Sequence, residues 1–304
     1  MATDPHSRAA SVNGNEETLL TNIARKAIIY PRFSLLILPL KSFYASLQKK
    51  IYNKIELFLD FIRQTDSMNI IVTGASRGIG YELSRLFASD TNNKVVVIAR
   101  NRIKLEQLRR ECISVFPGAK IYPLMFDLCQ SGLKHTLMPQ ILSCFSSVDI
   151  LINNAGALVN KPFEELQTDE VENIFRVNVI SLFELIQVLL PYMGKGEKPT
   201  HIVNIGSMGG FQGSSKFPGL SAYSSSKAAL AGLTECLAEE FKGRNISVNC
   251  LSIGAVQTEM FVQAFPGERA QMTPLQMAQF IKDFALSGAA YYNGKILPVS
   301  NSTP

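Results

Sequence analysis

The run from Asn69 to Ala88 constrains this chain more than any other. Asn69-Ile-Ile-Val-Thr73 is a short apolar, β-branched segment, Gly74-Ala-Ser-Arg-Gly78-Ile-Gly80 is a glycine turn, and Tyr81-Glu-Leu-Ser-Arg-Leu-Phe-Ala88 has helical periodicity. A strand passing through glycines into a helix predicts the first βα unit of a parallel sheet. The turn is also suited to a pyrophosphate. Glycines allow a sharp bend and a close backbone approach, and the helix start offers free N–H groups and a positive dipole end. The glycine spacing is G-x-x-x-G-x-G rather than G-x-G-x-x-G, and its candidate contacts are Gly74, Ser76, Arg77, Gly78, Ile79 and Gly80.

Further β-branched runs predict strands at 94–99, 120–124, 148–153, 201–207, 245–252 and 294–299. Helical patterns fall at 78–89, 101–115, 131–144, 168–193, 222–242 and 274–286. Strict βα alternation implies an α/β fold with one doubly wound parallel sheet over residues 68–304. Pro298 marks the last strand as an edge, because proline cannot donate to a ladder.

The second strand ends at Arg100, twenty residues past Gly80. In dinucleotide folds an acid in this region bonds a ribose 2′-hydroxyl, whereas an arginine accommodates a 2′-phosphate. Arg100 and Arg77 together favour NADP(H) over NAD(H), since guanidiniums bind phosphate through charge-assisted hydrogen bonds. Asp127 follows the third strand and can accept from an adenine amino group. Asn154-Ala155-Gly156 follows the fourth, where small residues let a ribose pass close to the backbone. Ser207 ends the fifth strand, at the sheet edge where open α/β sheets bind ligands.

Tyr223 and Lys227, four apart in Ala222-Tyr-Ser-Ser-Ser-Lys227, share a helix face. An ammonium beside a phenol favours the phenolate and lowers the phenol pKa, which gives a usable acid or base.

With Thr73-Gly-Ala-Ser-Arg-Gly-Ile-Gly80, Asn153-Asn-Ala-Gly156, Asn178, Ser207, Tyr223 and Lys227 in this order, the chain resembles the short-chain dehydrogenase/reductases over roughly Met68 to Val299. The resemblance implies a Rossmann fold and an oxidoreductase that interconverts a small-molecule carbonyl and an alcohol. It makes Tyr223 the acid in reduction and the base in oxidation, and gives Lys227 the ribose hydroxyls. Ser207 bonds the substrate oxygen, Asn178 holds a water that links Lys227 to solvent, and Thr258 bonds the nicotinamide carboxamide. A homodimer or homotetramer through the two long helices is implied as well. Two features depart from the family pattern. Ile253 stands where relatives place proline before Gly254, and sixteen residues separate Ser207 from Tyr223, a little more than the family's usual dozen. The added length leaves Ser214 and Ser215 as alternative hydroxyls, with Ser207 preferred. The alternative function is an NADPH-binding regulatory or structural protein without turnover; the intact Asn178, Ser207, Tyr223 and Lys227 argue against it.

Residues 259–272 are expected to form a substrate lid. Met260, Phe261, Phe265 and Met272, with Met208, Phe211 and Phe217, either line an apolar pocket or pack in the local core. The lid is short, so a bulky substrate needs another wall.

The charge balance excludes some partners. Of the net +5, residues 1–67 supply +3, with nine Lys and Arg against six Asp and Glu, so the rest is nearly balanced and offers no nucleic-acid patch. Five cysteines, all placed in or beside core elements, form no C-x-x-C and read as reduced thiols of a cytoplasmic protein. Three scattered histidines suggest no metal. Residues 1–67 read as a polar N-terminal extension, partly disordered, with an amphipathic helix over 44–63. The apolar run 33–40 is too short to span a bilayer, so membrane insertion is not expected, though peripheral contact through 27–63 is open. Met68 directly precedes the first strand, so the extension is read as lacking a catalytic role, or as an artefact of start-site choice.

Overall fold

Alternate residues of each strand feed two apolar layers, one on either face of a parallel sheet. The computed structural model describes residues 67–301. The expected extension, its amphipathic helix and any contact through 27–63 lie outside the described residues. Seven strands, β1 (Asn69–Thr73), β2 (Lys94–Ala99), β3 (Lys120–Met125), β4 (Ile150–Asn153), β5 (Thr200–Ser207), β6 (Ile246–Ile253) and β7 (Ile296–Val299), form one sheet in the order β3-β2-β1-β4-β5-β6-β7. Every pairing is parallel, so all strand C-termini share one edge. The chain leaves β1 outward to β2 and β3, then returns to place β4 on the other side of β1. That reversal opens a crevice beside the glycine turn.

The helices are α1 (Gly78–Ala88), α2 (Arg102–Val115), α3 (Met138–Leu142), α4 (Thr168–Phe175), α5 (Ser181–Leu189), α6 (Ser221–Glu240), α7 (Glu259–Ala264) and α8 (Pro274–Ser287). Ile70, Val72, Val95 and Val97 face α1, α2 and α8 through Leu83, Phe87, Leu105, Leu108 and Ile281. Ile71, Val96, Leu151 and Ile202 face the other way, against α5 and α6 through Leu185, Leu189 and Leu237. Fully burying each such side chain is worth about 1.5–3 kcal/mol, which makes the sheet the rigid base of the molecule.

β7 is an edge strand, and Pro298 is registered against Ser252. Three expected elements are modified. The helix expected over 131–144 starts as a wide turn at Leu133–Leu137 after Gly132 at φ +106°, and α3 begins only at Met138, because Pro139 lacks the N–H that would continue the ladder. The long helix expected over 168–193 is interrupted at Arg176–Ile180 by a wide turn, where the Ser181 N–H reaches back five residues to the Arg176 carbonyl, and it tightens at Leu190–Tyr192 around Pro191. This stretch is long and apolar enough to cross a membrane, but Leu182, Leu185, Ile186 and Leu189 are spent on the core. The expected lid is not all loop, since its first half is α7. All five cysteines are free; Cys112 and Cys250 are buried, and Cys236 lies on α6 with its side chain exposed.

Candidate active site

The glycine turn is built so that backbone packs on backbone. Gly74 (φ +68°) and Gly78 (φ +57°) occupy the left-handed region, where side chains are strained. A Cβ on Gly80 would stand 2.4 Å from the Gly74 carbonyl and 2.5 Å from Asn154 Nδ2. The Asn154 amide donates to the carbonyls of Thr73 (3.0 Å) and Gly74 (3.3 Å), and the Thr73 hydroxyl accepts the N–H groups of Asn154 and Ala155 at 3.0 Å each. The end of β4 is thereby pinned to the turn, and the Asn154 side chain serves structure rather than pointing at a ligand.

A cavity of about 1010 Å³ runs along the strand ends from this turn. One end is lined by Ala99, Arg100, Lys104, Asp127 and Leu128, the middle by Gly74, Ser76, Arg77, Gly78, Ile79, Asn154, Ala155 and Gly156, and the other end by Ser207, Tyr223, Lys227, Gly254 and Thr258. Every residue expected to contact cofactor lines it except Gly80, which supports the turn from behind. Arg77 and Arg100 are exposed, and neither is ion-paired among the described residues. Lys104, in the first turn of α2, brings a second cation to the Arg100 end and a third to the cavity. Asp127 accepts from the Cys129 N–H (3.0 Å) and lines the cavity. Cations at one end and a glycine-rich cradle in the middle fit a phosphate-bearing dinucleotide.

At the other end α6 carries Tyr223, half-buried, and Lys227, 5% exposed. The Lys227 ammonium donates to the Ile205 carbonyl of β5 at 2.7 Å, and burial lowers its pKa to about 8. A Cβ on Gly156 would lie 3.6 Å from that ammonium and 3.3 Å from Asn178 Oδ1, so both surround Gly156. The Tyr223 phenol departs from expectation. Burial pushes its pKa up, and the opposing pull is a hydrogen bond with Ser207 rather than the charge on Lys227. Desolvating a phenolate outweighs an ammonium that is itself held by a carbonyl.

Ser207 comes to Tyr223 because the turn after β5 packs directly on α6. A Cβ on Gly210 would meet the backbone carbonyl carbon of Lys227 at 2.6 Å. Ser207 Oγ also accepts the Gly209 N–H at 3.1 Å. Ser214 does not line the cavity, and its hydroxyl donates to the Met208 and Phe211 carbonyls and accepts from Lys216. Ser215 is exposed and does not line the cavity.

Asn178 is fully buried in the wide turn between α4 and α5. Its Oδ1 accepts the Ala157 N–H (2.8 Å), and its Nδ2 donates to the Ala157 carbonyl (3.0 Å) and to Ser226 Oγ (2.9 Å). Ser226 in turn donates to the Tyr223 carbonyl at 2.7 Å. The side chain is thus consumed in tying the Gly156 loop to α6. Thr258 caps α7, accepting the Phe261 N–H at 3.2 Å, and its methyl faces Gly78. With Ile253 in place of proline, the β6–β7 ladder continues through Ile253 and Val299, and the Gly254 N–H donates to the Val299 carbonyl at 2.8 Å.

Of the seven apolar side chains weighed for the substrate end, Met208, Phe217, Met260, Phe261 and Phe265 line the cavity. Met272 packs against the core, and Phe211 does not line the cavity. Sequence reasoning missed Lys104, Ser226 and Gly210. Only Lys104 left a local signal, a cation in the first turn of the helix that follows Arg100.

A family model for short chain dehydrogenases matches residues 68–269. Dehydrogenase/reductase SDR family member 7B of Mus musculus is 35% identical over 197 residues, 64% of this chain and 59% of that protein, so the match spans under two thirds of that relative's length. A 3-oxoacyl-acyl-carrier-protein reductase of Thermotoga maritima is 28% identical over 241 residues, 75% of this chain and 94% of that protein. Among solved structures, a short chain dehydrogenase of Shigella flexneri complexed with NADP superposes with a TM-score of 0.69 at 27% identity, covering 77% of this chain and 97% of that one.

Proposed function

The chain belongs to the short chain dehydrogenase family of oxidoreductases, and from that premise we propose that it is an NADP(H)-dependent reductase of a small carbonyl compound, or the reverse alcohol dehydrogenase. The observation that carries this reading is the convergence of Ser207, Tyr223 and Lys227 at one end of a cavity whose other end holds Arg100 and Lys104, with Arg77 on the glycine turn between. Gly74, Ser76, Gly78 and Ile79 would hold the pyrophosphate and Arg77 and Arg100 the 2′-phosphate. Asp127 would take the adenine, Asn154, Ala155 and Gly156 the ribose flank, and Thr258 and Lys227 the nicotinamide riboside. The bound nicotinamide supplies the hydride.

Tyr223 moves the proton. Its pKa is raised, so the phenol is protonated at neutral pH and can give its proton to the carbonyl oxygen in reduction. Ser207 donates a hydrogen bond to the same oxygen as negative charge grows there, which is where a fixed donor accelerates most. Lys227, with a pKa of about 8, is charged at neutral pH, and its ammonium, which spends one hydrogen bond on the Ile205 carbonyl, would donate to the ribose hydroxyls. Asn178 is a positioning residue, since its amide sets the distance between the Gly156 loop and α6.

Residues 68–304 are proposed as the catalytic domain of a cytoplasmic protein, with 1–67 as an extension outside the chemistry. A homodimer or homotetramer through α4, α5 and α6 is supported by Ile180 (41% exposed) and Phe183 (43% exposed) on that surface. The test is a screen of ketones, aldehydes and 3-oxoacyl thioesters followed by NADPH absorbance, with NADH in parallel. Turnover of at least one class with NADPH preferred supports the reading, and cofactor binding with no turnover of any class refutes it.

A further inference from the structure

Helix α7 crosses the cavity from the cofactor side to the substrate side. It begins at Glu259, whose Oε2 lies 3.6 Å from where a Cβ on Gly78 would stand, beside the glycine turn. It ends at Ala264, whose carbonyl accepts from Asn160 Nδ2 at 2.8 Å. Asn160 belongs to the loop that meets the segment before α6, since the Lys161 N–H donates to the Gly219 carbonyl at 3.0 Å. Phe265 and Glu268 follow at that substrate end. The Glu268 N–H donates to the Phe265 carbonyl at 3.1 Å, which closes a turn between them. The Phe261 and Phe265 rings stand 5.2 Å apart, centre to centre, with their planes at 38°. Phe261, Phe265 and Glu268 all line the catalytic cavity.

The charges along the cavity sort by end. Its cations are Arg77, Arg100, Lys104 and Lys227. Arg100 and Lys104 stand at the far end, Arg77 on the glycine turn, and Lys227 where the ribose would cover it. Of its acids, Asp127 belongs to the far end and Glu259 to the glycine turn. Glu268 is the charge left to the substrate. Among the described residues it makes no ion pair, and Arg269, its neighbour in the chain, does not line the cavity. A carboxylate beside two phenyl rings attracts an organic ammonium twice, by its own charge and by the ring quadrupoles. An anionic substrate is repelled there, and a neutral one gains only apolar contact.

Resting on the proposed reductase reading, we propose that the substrate is a carbonyl compound bearing an alkylammonium group, with the carbonyl at Ser207 and Tyr223 and the ammonium at Glu268 against Phe261 and Phe265. In a part-exposed setting an ion pair and a cation–π contact are each worth about twofold to fivefold, so the two together give on the order of tenfold.

The experiment uses the full chain with NADPH and three methyl ketones that share one reacting end. These are 5-diethylamino-2-pentanone, a cation at neutral pH; 6-ethyl-2-octanone, its uncharged isostere; and 5-oxohexanoate, an anion. Each is assayed in the wild type, in Glu268→Gln and in Glu268→Lys. The wild-type kcat/KM should be about tenfold higher for the cation than for the isostere, and lowest for the anion. That cation-to-isostere ratio should fall to within about twofold in Glu268→Gln, and Glu268→Lys should prefer the anion to the cation. Calorimetric titration of the NADP+-loaded protein with the same compounds reads binding without turnover. A cation preference in that titration that is lost in Glu268→Gln, with no ketone turned over by the wild type, refutes the reductase reading and retains the ammonium site. An equal cation-to-isostere ratio in the wild type and Glu268→Gln overturns the ammonium site, as does a wild-type preference for 5-oxohexanoate.

Discussion

The Lys227 ammonium lies 5.9 Å from the centre of the Tyr223 ring and spends one hydrogen bond on the Ile205 carbonyl at 2.7 Å. The two groups share a helix face, yet they are not partners in an ion pair. Burial acts on each separately, raising the phenol and lowering the ammonium. Both shifts favour the neutral forms, and the chemistry needs Lys227 charged, so the site sits near a protonation boundary.

That boundary is measurable as stability. Lys227 falls from 10.5 to about 8 on folding, so between those values the unfolded chain binds more protons and stability rises with pH. The buried cation costs roughly 3 kcal/mol below pH 8, and the cost is gone above about 10.5. Urea unfolding of the wild type and of Lys227→Met at pH 7 and pH 10 checks this. The wild type should gain on the variant by up to ~3 kcal/mol over that interval, whereas a constant difference contradicts it.

Gly80 and Gly210 separate cofactor binding from chemistry. In Gly80→Ala the new methyl meets the Gly74 carbonyl and the Asn154 amide, so the phosphate cradle should open and NADPH affinity should fall at least tenfold. In Gly210→Ala the methyl meets the α6 backbone at Lys227, so the Ser207 turn is pushed away from Tyr223. Here kcat should fall at least tenfold with NADPH affinity nearly unchanged. Fluorescence titration of NADPH alongside steady-state rates distinguishes the two patterns.

Much of this is legible in the sequence, and what is legible is local. The glycine turn stands out because strand, turn and helix follow one another within twenty residues, and the Tyr223–Lys227 face because helical spacing fixes it. Partners distant in the chain leave no such mark. Asn178 meets Ala157 and Ser226, and Lys227 meets Ile205, only after the sheet has assembled. The direction of the Tyr223 shift runs against the sequence-based expectation for the same reason, since burial belongs to the tertiary fold whereas a nearby lysine is visible in the sequence. The lid helix α7 is too short for periodicity to reveal, and the wide turn at Asn178 is hidden inside an otherwise continuous helical pattern.

Asn178 should behave as a structural tie before it behaves as anything else. Asn178→Ala removes the partner of the part-buried Ala157 N–H and carbonyl and of the buried Ser226 hydroxyl, and a buried group left unpaired costs about 1–3 kcal/mol. We expect roughly 2–4 kcal/mol lost in denaturant unfolding, together with reduced turnover. Unaltered stability with abolished turnover would instead assign the side chain a direct part in proton supply.

Arg77 and Arg100 should set cofactor choice. Each offers a charge-assisted contact to a 2′-phosphate and nothing comparable to a 2′-hydroxyl. Arg77→Ala combined with Arg100→Ala should lower kcat/KM for NADPH by about a hundredfold and change that for NADH by less than threefold. Equal losses with both cofactors would remove these residues from 2′-phosphate recognition.

Tyr223→Phe deletes one oxygen and keeps the ring that packs beside Lys227, so it isolates the proton from the scaffold. The most direct measurement is NADPH oxidation by this variant, with a carbonyl substrate that the wild type turns over, beside a titration of NADPH affinity. The account predicts turnover reduced at least a thousandfold with affinity within about threefold of wild type. Turnover retained within tenfold would show that the proton comes from elsewhere and would contradict it.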